Sequence, residues 1–327
     1  MAEPLHNPQS RPTPVAFLFP GQGSQAVGMG KELAARYPIA QKTFEEADAA
    51  LGYAISALCF EGPEEKLKMT EVTQPAILTV SVAALRVLRE NHSKGVEPGF
   101  VAGHSLGEYS AHVAAGTLDF ADAVRIVRNR GSYMQEAVPA GQGAMAAVLG
   151  LSLEEIEATC REAALGEVVA PANINSPGQV VISGNAAAVG RAAELVKQRG
   201  AKRAVMLPVS APFHCALMQP AQERLAADLK AATFHPMRVP LVTNVDAEVI
   251  NSAEKVRDAL IRQVTGAVQW EKSMRALIAA GVETFVEVGP GRVLCGLMRQ
   301  IDRSRTCLNV EDPATVEKTI SQVLPIP

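Results

Sequence analysis

From Val15 onward, short runs of consecutive apolar residues alternate with longer stretches in which apolar positions recur every three or four residues. The first pattern suits strands buried on both faces and the second suits amphipathic helices. Together they predict an α/β fold with a largely parallel sheet. Residues 15–19 (VAFLF) predict a buried strand running into the loop Pro20-Gly21-Gln22-Gly23. Helices are expected over 25–36, 38–51 and 75–91, the last opened by Thr73 and Pro75. A strand over 100–103 then precedes helices over 105–115 and 120–137. Further on, the pattern predicts a strand at 240–243, helices over 252–264 and 270–280, a strand over 283–288 and a helix after Asp312.

The stretch between these parts has a different order. Strand patterns at 144–149, 168–172, 180–183 and 203–207 are interrupted by helical patterns at 153–164 and 186–199. The order β-α-β-β-α-β is that of a ferredoxin-like unit. The expected organisation is therefore a large subdomain from residues 15–139 and 209–327, with a ferredoxin-like subdomain at 140–208 inserted into it. Residues 1–14, with four prolines and no apolar core, read as a flexible tail rather than a signal peptide.

Composition narrows the class. The chain has 327 residues, 48% hydrophobic and 20% charged, so a packed globular state is expected. A net charge of −3 and an aromatic content of 4% argue against a nucleic-acid partner. No unbroken apolar run approaches 18 residues, which argues against a membrane span. Five widely spaced cysteines without a CxxC pair predict neither a disulfide framework nor a metal site, and favour a reducing compartment. The expectation is a soluble cytoplasmic protein.

Candidate chemistry begins at Gly103-His104-Ser105-Leu106-Gly107, which follows a strand and precedes a helix. This is the setting of a nucleophile elbow, where glycines flank a sharp turn and the serine hydroxyl is pushed clear of the sheet. The Leu106 N–H would then face a developing oxyanion at the helix N-terminus. A second reading stays open, because Ser105-x-x-Glu108 is also a capping-box spacing. A nucleophilic serine needs a base, and there are six histidines. His6 lies in the tail, His92 and His235 in polar or proline-flanked loops, His104 beside the serine, and His112 two turns along its helix. His214, after a strand and before a helix, remains as the candidate. The late acid and histidine of an ordinary α/β-hydrolase are missing, because no histidine follows residue 235.

Arg130 falls on the same helical stripe as Ala123, Val127, Gly131 and Met134. An arginine on an apolar stripe needs an anion, which is either a protein carboxylate or a ligand carboxylate held in bidentate fashion. The loop Gly21-Gln22-Gly23-Ser24-Gln25-Ala26 matches G-x-G-x-x-A, but the acidic residue ending a second strand is missing, which argues against a dinucleotide site.

These residues, with several further segments, resemble the malonyl-CoA:acyl-carrier-protein transacylase family of stand-alone bacterial enzymes. The resemblance covers about 15–310 and rests on Phe19-Pro20-Gly21-Gln22-Gly23-Ser24-Gln25, Thr73-Gln74-Pro75-Ala76 and Gly103-His104-Ser105-Leu106-Gly107-Glu108. Arg130-Gly131, Gly178-Gln179-Val180-Val181-Ile182-Ser183-Gly184, Phe213-His214 and Glu287-Val288-Gly289-Pro290-Gly291 extend it in the same order. It implies an α/β-hydrolase-like core with a ferredoxin-like insertion.

The resemblance implies Ser105 as nucleophile, His214 as base, and the Gln22 and Leu106 backbone N–H groups as oxyanion donors. It implies Arg130 as the clamp on a malonyl carboxylate and the Gln263 carbonyl as the group orienting His214. Gln74, Phe213 and Asn244 are implied at the substrate, with Phe213 disfavouring a branched acyl group. The implied activity moves malonyl from malonyl-CoA to the phosphopantetheine thiol of acyl carrier protein in fatty acid synthesis, by ping-pong kinetics, without a cofactor or metal, in a monomer. Lys197, Arg199, Lys202 and Arg203, or Arg299, Arg303 and Arg305, are candidate docking faces for an acidic carrier. A discrete acyltransferase of a polyketide pathway, a serine thioesterase or hydrolase, and a non-catalytic acyl-carrier binder are the rival readings.

Overall fold

The computed structural model describes residues 14–90, 96–209 and 211–323. The expected tail (apart from Pro14), His92 and Ser210 therefore lie outside the described residues. Among the described residues, ten strands form two sheets. The large sheet contains β1 (Val15–Phe19), β2 (Phe100–Gly103), β7 (Leu241–Val242), β8 (Val249–Ile250), β9 (Thr284–Val288) and β10 (Thr306–Val310), in the order β10-β9-β1-β2-β7-β8. Every neighbouring pair is parallel except β7–β8. β1 is central, with Phe17 opposite Val101 on one side and Val286 on the other. Its continuous apolar run follows from helices covering both faces.

The small sheet contains β3 (Gly143–Leu149), β4 (Val169–Ser176), β5 (Gln179–Asn185) and β6 (Arg203–Met206), all antiparallel, in the order β4-β5-β3-β6. With helices Leu153–Ala164 and Ala186–Gln198, it forms the ferredoxin-like unit expected from the pattern. Its core is a separate apolar cluster that includes Val148, Ile156, Ile182 and Val189. The edge strand β4 is tied back to the large part of the fold, where Ile174 N–H donates to the Val268 carbonyl and Val268 N–H to that of Ala172.

Several elements differ from the pattern reading. The helix expected over 25–36 is only Lys31–Arg36, because Gly28 and Gly30 adopt left-handed backbone at φ 96° and 76°. The helix expected at 75–91 begins at Thr70 and carries Pro75 inside it. Thr73 Oγ1 and Thr79 Oγ1 donate to the carbonyls of Leu67 and Pro75 there. Helix Thr70–Glu90 also corrects the hydropathy argument. Its apolar 18-residue window, mean hydropathy 1.3, is long enough to cross a membrane, but 83% of that window is buried inside the fold as the central core helix. The helix expected after His214 spans Gln219–Ala231, and strand β10 is absent from the pattern reading.

The expectation of no disulfide is corrected at one pair. Cys295 on helix Val293–Ile301 and Cys307 on β10 form a disulfide, with Cα atoms 5.4 Å apart. The helix runs back beside the strand that follows it, so residues 12 apart in sequence become neighbours. Cys59, Cys160 and Cys215 are buried thiols.

Candidate active site

The candidate site is built at the carboxyl edge of the large sheet, where the loops after β1, β2 and β7 converge. β2 ends at Gly103 and helix Gly107–Ala115 begins four residues later. A Cβ on Gly103 would strike the Gly107 carbonyl, and one on Gly107 the carbonyls of Phe19 and Pro20. Both positions therefore require glycine. Ser105, between them, is forced into left-handed backbone with φ 53°, a conformation costing about 1–3 kcal/mol in a non-glycine residue. Asn244, just after β7, holds the turn from below. Ser105 N–H donates to its Oδ1 at 2.7 Å, and its Nδ2 donates to the Gly103 carbonyl at 2.6 Å.

His214 also has left-handed backbone, φ 59°. Its Nδ1 lies 2.9 Å from the Gln263 carbonyl and 3.2 Å from that of Gly266. Carbonyls only accept, so Nδ1 carries the proton and Nε2 presents a lone pair. That lone pair faces the Ser105 hydroxyl at 2.7 Å. Burial, and next the Arg130 charge, hold the His214 pKa down at about 3. The imidazole is therefore neutral at physiological pH and ready to accept a proton.

Arg130 lies on helix Phe120–Glu136, on the apolar face with Ala123, Val127 and Met134. Its neighbour Gly131 lets this helix approach helix Thr70–Glu90, because a Cβ there would stand 2.6 Å from the Thr70 carbonyl oxygen. Arg130 is 2% exposed, yet it makes no ion pair among the described residues. Nη1 donates to Gln74 Oε1 at 2.7 Å, and Nη2 to Ser105 Oγ at 3.1 Å and Gln263 Oε1 at 3.0 Å. Its Nε has no partner. Desolvation lowers its pKa. Tyr109 and, at longer range, the Glu108 carboxyl also act on it, but no carboxylate of the described residues lies within ion-pair distance, and a buried guanidinium so placed is poised for an anionic ligand.

Ser105, His214 and Arg130 border a cavity of about 110 Å³, also lined by Gln22, Gln74, Leu106 and Phe213. A larger recess of about 500 Å³ shares Gln22 and Val209 with it and opens outward past Lys68 and Glu71. Among the described residues, no three His, Cys, Asp or Glu side chains come together as metal ligands.

Residues 16–320 match the family model described as acyl transferase domain. The chain belongs to that acyl transferase family. It is 54% identical over 304 residues to the malonyl CoA-acyl carrier protein transacylase of Escherichia coli (strain K12), covering 93% of this chain and 98% of that protein. The protein of the same name from Bacillus subtilis (strain 168) is 50% identical over 307 residues, with 94% and 96% covered. Among solved structures, the malonyl CoA-acyl carrier protein transacylase of Coxiella burnetii superimposes with a TM-score of 0.93 at 46% identity, covering 95% of this chain and 98% of that one. A malonyl-transacylase in complex with a type II polyketide synthase acyl-carrier protein gives 0.92 at 47% identity, with 95% and 100% covered.

In this acyltransferase the structure gathers Gln22, Gln74, Ser105, Leu106, Arg130, Phe213 and His214 around one cavity. Gln263 is behind it, fully buried, and touches His214 with its backbone and Arg130 with its side chain. Asn244, expected at the substrate, lies beneath the elbow instead and holds the backbone of the serine. The sequence reading missed the Gly266 carbonyl, the bond of His104 Nε2 to Asn175 at 2.9 Å, and the walls Met145, Asn173 and Leu207. These walls flank or belong to the inserted unit. Its entry and exit points were a usable signal, because an insertion near a site contributes its junctions to the cavity.

Proposed function

We propose that this acyltransferase moves a malonyl group from malonyl-CoA to the phosphopantetheine thiol of an acyl carrier protein, through an ester on Ser105, to supply fatty acid synthesis. The observation that carries this reading is Arg130, a buried cation without a carboxylate partner, 3.1 Å from the Ser105 hydroxyl. The names of the relatives support the same substrate and acceptor.

In the proposed mechanism, His214 Nε2 takes the Ser105 proton while Oγ attacks the thioester carbonyl. The backbone N–H groups of Gln22 and Leu106 hold the oxyanion, and as the C–S bond breaks His214 passes the proton to the departing thiolate sulfur of coenzyme A. The carrier thiol then reverses these steps on the malonyl ester. Thioester and oxyester are close in energy, so the exchange calls for no further energy source. Arg130 binds the malonyl carboxylate, with Gln74 fixing one arm of the guanidinium. Because the Arg130 charge is one cause of the low His214 pKa, the incoming carboxylate offsets it and makes the base stronger when substrate is present. The outer recess suits the pantetheine arm.

Of the two basic clusters, Lys197 pairs with Glu194 and Arg199 with Glu162. Arg299 and Arg303 make no ion pair among the described residues and border a recess of about 360 Å³ together with Arg292 and Arg305. We propose this second cluster as the carrier docking face, through charge complementarity.

The deciding experiment is intact mass after brief incubation with malonyl-CoA. The expected result is one malonyl adduct, absent in Ser105→Ala and discharged by holo carrier protein. Steady release of free malonate without transfer would instead identify a hydrolase.

A further inference from the structure

The Ser105-x-x-Glu108 spacing left a helix cap as an alternative, and the structure shows no such cap. Helix Gly107–Ala115 has no side-chain capping bond. Glu108 turns inward and is fully buried. Its Oε2 accepts from Gln263 Nε2 at 2.7 Å and from Asn244 N–H at 3.1 Å. Oε1 has no partner.

These two contacts reach the rest of the site. Asn244 is the residue that pins the Ser105 turn. Gln263 does three things at once: its backbone carbonyl holds His214 Nδ1, its Oε1 receives Arg130 Nη2, and its Nε2 also donates to the Ser105 carbonyl at 2.9 Å. A side-chain amide can be seated in two orientations. Here an acceptor on one side and a cationic donor on the other permit only one. Without the Glu108 oxygen, only the Ser105 carbonyl would still hold Nε2 in place; a flipped amide would turn its NH2 toward the guanidinium, and Arg130 Nη2 would keep Ser105 Oγ but lose its second acceptor.

We propose that Glu108 is a positioning residue of this site. Its buried carboxyl oxygen, the nearer of the two acceptors of Gln263 Nε2, fixes the orientation of the Gln263 amide together with the Ser105 carbonyl, and through it the aim of Arg130 at the acyl carboxylate and the seat of His214. This rests on the reading of Arg130 as the malonyl clamp. Burial pushes the Glu108 pKa up to about 7, against the pull of Gln263, Asn244 and Arg130, and both bonds it accepts fall on the single oxygen Oε2. Glutamine should therefore substitute, because its carbonyl oxygen accepts the same two bonds and its NH2 takes the position of the unpartnered oxygen.

The test compares Glu108→Leu, Glu108→Gln and Gln263→Leu with the parent. Expected for Glu108→Leu is at least a tenfold rise in KM for malonyl-CoA and a collapse of malonyl-over-acetyl preference, largely restored in Glu108→Gln. Gln263→Leu reproduces the loss, and adding Glu108→Leu to it brings little more. Should Glu108→Leu not fold, Gln263→Leu and Glu108→Gln still decide. Preference unchanged in Gln263→Leu, or lost equally in Glu108→Gln, overturns the proposal. Ser105 labelling by a fluorophosphonate reads the His214 seat without any acyl substrate, with a tenfold slowing expected in Glu108→Leu and recovery in Glu108→Gln. A parent that labels this way but forms no malonyl ester sinks the transfer reading alone. Equal labelling rates in all variants sink the positioning role.

Discussion

The interior beneath the Ser105 elbow and the interior of the small sheet are both closed to water, and they are built on opposite principles. In the small unit, Val148, Ile156, Ile182 and Val189 are buried with apolar neighbours. Under the elbow, Gln74, Glu108, Arg130, Asn244 and Gln263 are buried just as deeply and are joined by hydrogen bonds. An apolar core tolerates small shifts at a moderate energy cost. A polar interior holds its groups within hydrogen-bond distances and leaves a large penalty if one partner is removed. The first supplies stability and a wall of the cavity; the second supplies aim.

The sharpest way to break the comparison is at its polar side. Arg130→Ala removes the cation that the malonyl carboxylate would meet. Malonyl transfer is expected to fall at least a hundredfold, about 3 kcal/mol in transition-state terms, with acetyl transfer unchanged or raised. Equal kcat/KM for malonyl-CoA in mutant and parent would remove the clamp from the mechanism. On the apolar side, Ile182→Ala opens a cavity at a fully buried position and is expected to cost about 2–5 kcal/mol of stability. Its malonyl-over-acetyl preference should match the parent at a temperature where both are folded; a changed preference would show that the two interiors are coupled.

A smaller effect lies in the pH profile. His214 has its pKa lowered to about 3, whereas its unfolded value is near 6.5. Between these values the unfolded chain binds a proton that the folded site refuses. This contribution to stability is therefore full above pH 6.5 and is lost as pH falls toward 3. Ser105 acylation should keep its rate through pH 6.5, with the acid limb well below it. In Arg130→Ala the limb should move upward, because a neighbouring positive charge is gone. An acid limb at 6.5 in the parent would contradict the buried, neutral base. The smallest change is expected far from both interiors. Arg299→Glu should slow carrier-dependent transfer severalfold at low salt, leave Ser105 acylation by malonyl-CoA untouched, and converge on the parent as salt rises.

His112 and His214 show how far a histidine can be read from sequence. Both are buried with the pKa held down at about 3. His112 faces the Thr117 hydroxyl within its own helix cap region, while His214 faces Ser105 across 109 residues of chain. Elimination pointed to His214 because its loop follows a strand. Nothing in the local pattern shows the two carbonyls, of Gln263 and Gly266, that fix its tautomer. The same limit applies to Asn244, which belongs to the elbow and not to the cavity wall, and to the Cys295–Cys307 disulfide.

What the amino-acid order determined by itself is local: the strand-elbow-helix at Ser105, the β-α-β-β-α-β order of the small unit, and the stripe that buries Arg130. Each depends on contacts a few residues apart, which periodicity and glycine placement encode directly. What only the tertiary structure decided is the company those groups keep. The bonds from Gln263 to Ser105 and Glu108 span 158 and 155 residues, and Arg130 lacks a carboxylate partner only because of how distant helices pack around it. A hydrogen bond needs its partners within about 3 Å, and for residues so far apart in the chain only the folded arrangement brings them there.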